Sequence, residues 1–85
     1  MSQSIISKEK YILDNRLKIG ESIKKLRELR GLSQDELASL IQVKSATISK
    51  IENGKFNFSI DNLSRFSDIL NFEFELIAKN NDETI

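Results

Sequence analysis

From Leu17 the apolar residues Ile19, Ile23 and Leu26 recur at helical spacing, with Lys24, Lys25, Glu28 and Arg30 between them and Gly31 as a stop. This predicts a first helix. Ser33-Gln34-Asp35-Glu36 reads as a capping box, so a second helix starts there and runs to about Ile41. Leu37, Leu40 and Ile41 form its inward stripe, and Ala38 is small enough for another helix to approach closely. After the short connection Gln42-Val43-Lys44, Ser45 is expected to cap a third helix with Ile48 and Ile51 inward, closed by Asn53-Gly54. A polar loop holding Phe56 and Phe58 leads to Ser59, the predicted cap of a fourth helix through Leu70. Its apolar face is Ile60, Leu63, Phe66, Ile69 and Leu70, and Asn71 ends it.

Beyond Asn71 the period changes to two. Phe72, Phe74, Leu76 and Ala78 alternate with Glu73, Glu75, Ile77 and Lys79, which predicts a strand over 72–79 and a flexible acidic tail over 80–85. A single strand leaves its backbone groups unpaired. The other candidate strand is the stretch Ser4 to Leu13 within the N-terminal extension, residues 1–16, with Ile5, Ile6, Tyr11, Ile12 and Leu13; strand or irregular structure is favoured there. The alternative is a helix running backwards from residue 16 to a Ser7 cap, since Ile12, Leu13 and Leu17 are also helically spaced. In either case the C-terminal strand keeps open edges. An antiparallel partner from a second copy would close them, so a homodimer through Phe72, Phe74, Leu76 and Ala78 is expected.

The chain has 85 residues, 39% of them hydrophobic, which suits one small globular domain and makes association a natural source of added stability. Absence of Cys and His removes disulfides, thiol and imidazole catalysis and most zinc sites. An enzyme, a metal, a cofactor and a small-molecule ligand are therefore not expected. Glu73 and Glu75 share one face of the predicted strand, but without a cleft or a positioned base they read as exposed decoration. No apolar run approaches membrane-spanning length, and a cytoplasmic location with no membrane partner is expected.

Thirteen basic and thirteen acidic residues cancel, yet they are not evenly placed. Residues 16–55 hold nine basic against five acidic side chains, whereas 56–85 hold two against six. A basic helical half suits phosphate contact, and an acidic half suits an interface kept away from it.

The run from Leu32 to Lys55, with the preceding Ile19-Gly20, Leu26-Arg27 and Gly31-Leu32-Ser33-Gln34 and the ending Ile51-Glu52-Asn53-Gly54-Lys55, resembles the lambda-repressor-like, or XRE, helix-turn-helix family. The resemblance covers residues 17–71 and implies a mainly α-helical DNA-binding domain of four to five helices acting as a transcriptional repressor. The expected target is double-stranded DNA with an inverted-repeat operator. The family's pattern places Ser45, Ala46, Ser49 and Lys50 where bases are read. Lysine reaches guanine O6 or N7, and alanine meets the thymine methyl. Gln34, Lys44, Thr47, Asn53 and Lys55 match phosphate-contacting positions. Arg27 and Glu52 match a structural ion pair between the first helix and the end of the third. One position departs: the turn residue most often glycine in this family is Gln42. Either glutamine is held at positive φ, at about 1–3 kcal/mol, or the turn takes another shape.

The stretch Ser67-Asp68-Ile69-Leu70-Asn71-Phe72-Glu73-Phe74-Glu75-Leu76-Ile77-Ala78-Lys79 is also similar to the antitoxin partners of HipA-type kinase toxins. That similarity implies an autoregulatory antitoxin with a kinase-type toxin as partner. The alternatives are a phage- or plasmid-type repressor without a toxin, and a protein-interaction module that does not bind DNA.

Overall fold

A computed structural model of the chain describes residues 5–79. The expected tail over 80–85 and the first four residues of the N-terminal extension lie outside the described residues. Four helices make up the domain: α1 (Ile5–Leu29), α2 (Gln34–Ile41), α3 (Ser45–Glu52) and α4 (Ile60–Leu70).

The N-terminal extension is helical from Ile5, not strand or irregular, and α1 begins ahead of Ser7 and well ahead of Leu17. Prolonging an existing helix adds one hydrogen bond per residue without a second nucleation step, and no strand is at hand to pair with. An exposed Lys10–Asp14 contact at 2.9 Å, one turn apart, adds to the same conformation. The helix therefore reaches beyond the packed core, leaving Tyr11, Ile12, Leu13 and Leu17 exposed.

The core is one cluster: Ile23, Leu37, Ala38, Ile41, Ile48, Ile51, Phe66 and Leu70, with Leu26, Leu63, Ile69, Phe58 and Phe72 packed against it. Burying a side chain such as Phe66 or Leu70 stabilises the domain by about 1.5–3 kcal/mol each. Phe58 meets the Phe66 ring edge-on at 6.5 Å. Three residues expected to face inward do not: Leu40, Ile60 and Ile19 are exposed. Each lies at the rim of its helix's apolar stripe, where a four-helix domain has no further layer to cover it.

Gly20 sets the crossing of α1 over α3. A β-carbon there would lie 2.1 Å from the Ile51 carbonyl oxygen, so only glycine allows this approach. Ala38 is buried where α2 meets α3, and its carbonyl accepts from Val43 N–H at 2.9 Å.

No strand is formed among the described residues. Residues 72–78 are neither helix nor sheet, because a strand requires a ladder partner and the described residues supply none. Nor does the segment keep the expected single apolar face. Phe72 and Ala78 are half-buried, while Leu76 and Ile77, adjacent in sequence, are both exposed. Phe74 is tilted against Phe72 at 6.4 Å. Further along, Lys79 Nζ lies 5.9 Å from the Tyr11 ring centroid, so the segment runs back beside α1.

Candidate nucleic-acid interface

α2 starts as the sequence predicts. Ser33 Oγ accepts from Glu36 N–H at 3.0 Å, and Ser33 N–H donates to Glu36 Oε1 at 2.8 Å. The reciprocal pair satisfies two of the helix-end donors and fixes where α2 begins.

The turn between α2 and α3 resolves the question raised by Gln42. It takes φ 69° and ψ 46°, so glutamine stands in the left-handed region usually given to glycine. With Gln42 in that conformation the next N–H, of Val43, turns back to the Ala38 carbonyl at 2.9 Å and closes the helix. The turn keeps its shape and carries the strain.

Ser45 is not the cap of α3. Lys44 occupies the cap position with φ −81° and ψ 150° and no side-chain cap bond, so Ser45 is the first helical residue. Its hydroxyl instead donates to Asp35 Oδ1 on α2. Lys44 already takes the extended cap conformation, so Ser45 lies inside the first turn and its hydroxyl is free to donate across to α2. No periodic signal links positions 35 and 45, so Asp35 read only as part of the capping box.

At its other end α3 closes with Asn53 N–H on the Ser49 carbonyl at 3.0 Å and Lys55 N–H on the Lys50 carbonyl at 2.8 Å. Gly54 sits at φ 72°, and a β-carbon there would also come within 2.8 Å of Leu17 Cα.

Along α3 the inward positions are Ile48, Ile51 and Glu52. Ser45, Ala46, Ser49 and Lys50 pair off at four-residue spacing and share the opposite face. Ala46 and Lys50 are exposed, and Ser45 and Ser49 half-buried. Of the residues expected at phosphates, Lys44 and Lys55 are exposed at the two ends of α3, and Thr47 is half-buried on its flank. The other two have partners inside the chain. Asn53 Nδ2 donates to the Ser49 carbonyl at 2.9 Å, and Gln34 Nε2 donates to Glu52 Oε1 at 3.0 Å. An amide carries two hydrogens, so Gln34 keeps one donor, whereas Asn53 Nδ2 also lies 3.5 Å from Ser49 Oγ.

Beneath this face lies the ion pair. Arg27 Nε donates to Glu52 Oε2 at 2.6 Å and Nη2 to Oε1 at 3.1 Å, while Nη1 reaches the Leu32 carbonyl at 2.7 Å. Arg27 is 8% exposed and Glu52 4%. The hydrogen bond that Arg27 donates to Glu52, with that carboxylate's negative charge, holds the guanidinium above its ordinary value, against the opposing effect of burial. One fork thus fastens α1, the loop before α2, and the end of α3, with Gln34 tying in the start of α2. The helix angle at the surface depends on this buried network.

A helix-turn-helix family matches residues 23–77. The chain is 42% identical over 55 residues to Control protein C.MunI of Mycoplasma sp, a match covering 64% of this chain and 74% of that protein. Among solved structures it is similar to the restriction-modification controller protein C.AhdI from Aeromonas hydrophila, with TM-score 0.67 and 30% identity over 71% of this chain and 91% of that one. A second structure, named MDT Protein, matches with TM-score 0.65 and 28% identity over 76% and 92% of the two chains. Together with the capping box, the left-handed turn and the buried Arg27–Glu52 fork, these matches place the chain in the lambda-repressor-like, or XRE, helix-turn-helix family of transcriptional regulators.

Proposed function

We propose that the protein is a sequence-specific DNA-binding repressor that lays α3 in the major groove of an inverted-repeat operator and acts as a homodimer. The observation that carries this reading is the division of α3. One face is packed into the core, while the other presents Ser45, Ala46, Ser49 and Lys50 together, with Lys44 and Lys55 at its ends. Three short side chains and a lysine allow close approach to base edges, and lysines at both ends suit the flanking phosphates. Gln34, Thr47 and Asn53 complete the phosphate set, Gln34 through its spare amide hydrogen.

The dimer reading draws on exposed apolar residues of the C-terminal segment, where Phe74 is 45%, Leu76 82% and Ile77 78% accessible. The strand over 72–79 would form only once a partner supplied its ladder. Of the regulators in this family, a controller of restriction-modification genes is the role we favour, since two of the relatives carry that description or the name control protein. The antitoxin reading, with a kinase-type toxin as partner, draws only on the residues from Ser67 to Lys79 and on that strand, and has less support.

A protection footprint on the DNA upstream of the protein's own gene tests the proposal. Two protected half-sites about one helical turn, roughly 34 Å, apart support it. A single unpaired site argues against the dimer, and absence of protection there argues against autoregulation.

A further inference from the structure

We propose that Asp35 is a positioning residue for base reading: by accepting the Ser45 hydroxyl proton it turns Ser45 into an acceptor-only group, which selects amino bases over keto bases at one operator position. The inference rests on the reading of Ser45 as a base contact.

A free serine is a poor discriminator, since its hydroxyl both donates and accepts and can rotate to suit any base. Here the hydroxyl is half-buried at the start of α3, and its hydrogen is directed to Asp35 Oδ1 on α2. An ionised carboxylate has only acceptor sites, so the shared proton must come from the serine. The two lone pairs left on Ser45 Oγ can then only accept. In the major groove the donors are the N6 amino group of adenine and the N4 amino group of cytosine. Guanine and thymine present acceptors at the corresponding O6 and O4 positions. An oxygen facing those acceptors without a hydrogen to give is repelled, and both groups lose water without replacement.

Asp35 has a second effect of known sign. It is exposed on the same side as Ser45, so its negative charge opposes phosphate on every duplex regardless of sequence. Retaining a carboxylate at such a place sacrifices overall affinity. Fixing the direction of one hydrogen bond is what it offers in return.

The experiment selects binding sites from a pool of duplexes with a randomised core, using wild type, Ser45→Ala, Asp35→Asn and Asp35→Ala, each checked for helix content by circular dichroism. The position at which wild type and Ser45→Ala differ defines the base read by Ser45. Wild type is expected to prefer adenine or cytosine over guanine or thymine there by about 5- to 30-fold, the worth of one hydrogen bond lost or gained. Asp35→Ala is expected to reduce that preference below about twofold while binding non-specific duplex about two- to fivefold more tightly. Asp35→Asn, whose amide accepts through its oxygen but also donates, falls between them.

If Ser45→Ala flattens the preference but both Asp35 variants retain it, the inference is overturned and the base contact stands. A uniform loss across all duplexes in the Asp35 variants also overturns it, because the bond then only braces α2 against α3. If Ser45→Ala changes no position, or wild type enriches no sequence, the base-contact reading falls and the inference with it.

Discussion

Replacing Arg27 by methionine leaves Glu52 buried at 4% exposure, with the Gln34 amide as its one remaining side-chain donor at 3.0 Å. Removing one member of a buried pair costs about 3–5 kcal/mol, whereas an exposed pair is worth about 0–1. For a domain of 85 residues the whole folding free energy is about 4–13 kcal/mol at the usual 0.05–0.15 per residue. Arg27→Met is therefore expected to remove about a quarter or more of the stability. Glu52→Leu should do comparable damage, since it leaves the guanidinium 8% exposed with only the Leu32 carbonyl as a partner. The double variant, with neither charge left to desolvate, should recover to within about 2 kcal/mol of wild type. Urea unfolding followed by circular dichroism gives all three values and closes the cycle. The direction of the Arg27 shift adds a pH condition. A group whose pKa is raised on folding contributes its stability fully below the unfolded value and loses it only above the folded one. The penalty for Arg27→Met should thus stay constant from about pH 7 to about pH 10. Single-variant penalties below about 1 kcal/mol would refute the reasoning, because they would show the pair behaving as if solvated.

Gln42→Gly should stabilise the fold by about 0.5–1 kcal/mol, the balance of about 1–2 of left-handed strain relieved against about 0.4–1 of added unfolded-state freedom; a lower melting temperature would contradict this. Gly20→Ala should cost about 1–3 kcal/mol or more, as its β-carbon meets the Ile51 carbonyl, and a neutral result in urea would disprove the close crossing. Lys50→Ala is expected to weaken operator binding by about 1–3 kcal/mol and relax base preference; equal losses on operator and random DNA would remove it from the reading face. Phe74→Glu should convert a dimer to monomer by light scattering at tens of micromolar, and an unchanged mass would move the interface away from residues 72–79.

Much of this domain was legible in the sequence because its punctuation is local. The Ser33–Glu36 box, Gly31, Gly54, Ser59 and Asn71 each act within a few residues, and each stands where the helices start or stop. The Arg27–Glu52 pair, 25 residues apart, was legible only through resemblance. Three features were not legible, and each depends on a partner distant in sequence. The N-terminal extension carries both helical and strand-like spacing, and what decides it is the helix already present after residue 17. Ser45 has the side chain of a cap, but the cap position falls one residue earlier, on Lys44, and the Ser45 hydroxyl donates to Asp35 on another helix. Residues 72–79 alternate as a strand does, yet the described residues supply no ladder for them. The same dependence explains Gly20, whose place inside a helix has no local reason and whose necessity lies in a carbonyl on α3.

The central claim is that α3 and its flanking lysines meet DNA. The most direct measurement is the affinity for a duplex as a function of salt, for wild type and Lys55→Ala. The claim predicts that log affinity falls linearly with log salt, by about 0.9 per phosphate contacted, and that Lys55→Ala lowers that slope by about one contact. Affinity that ignores salt, or no binding to any duplex at low salt, would contradict it.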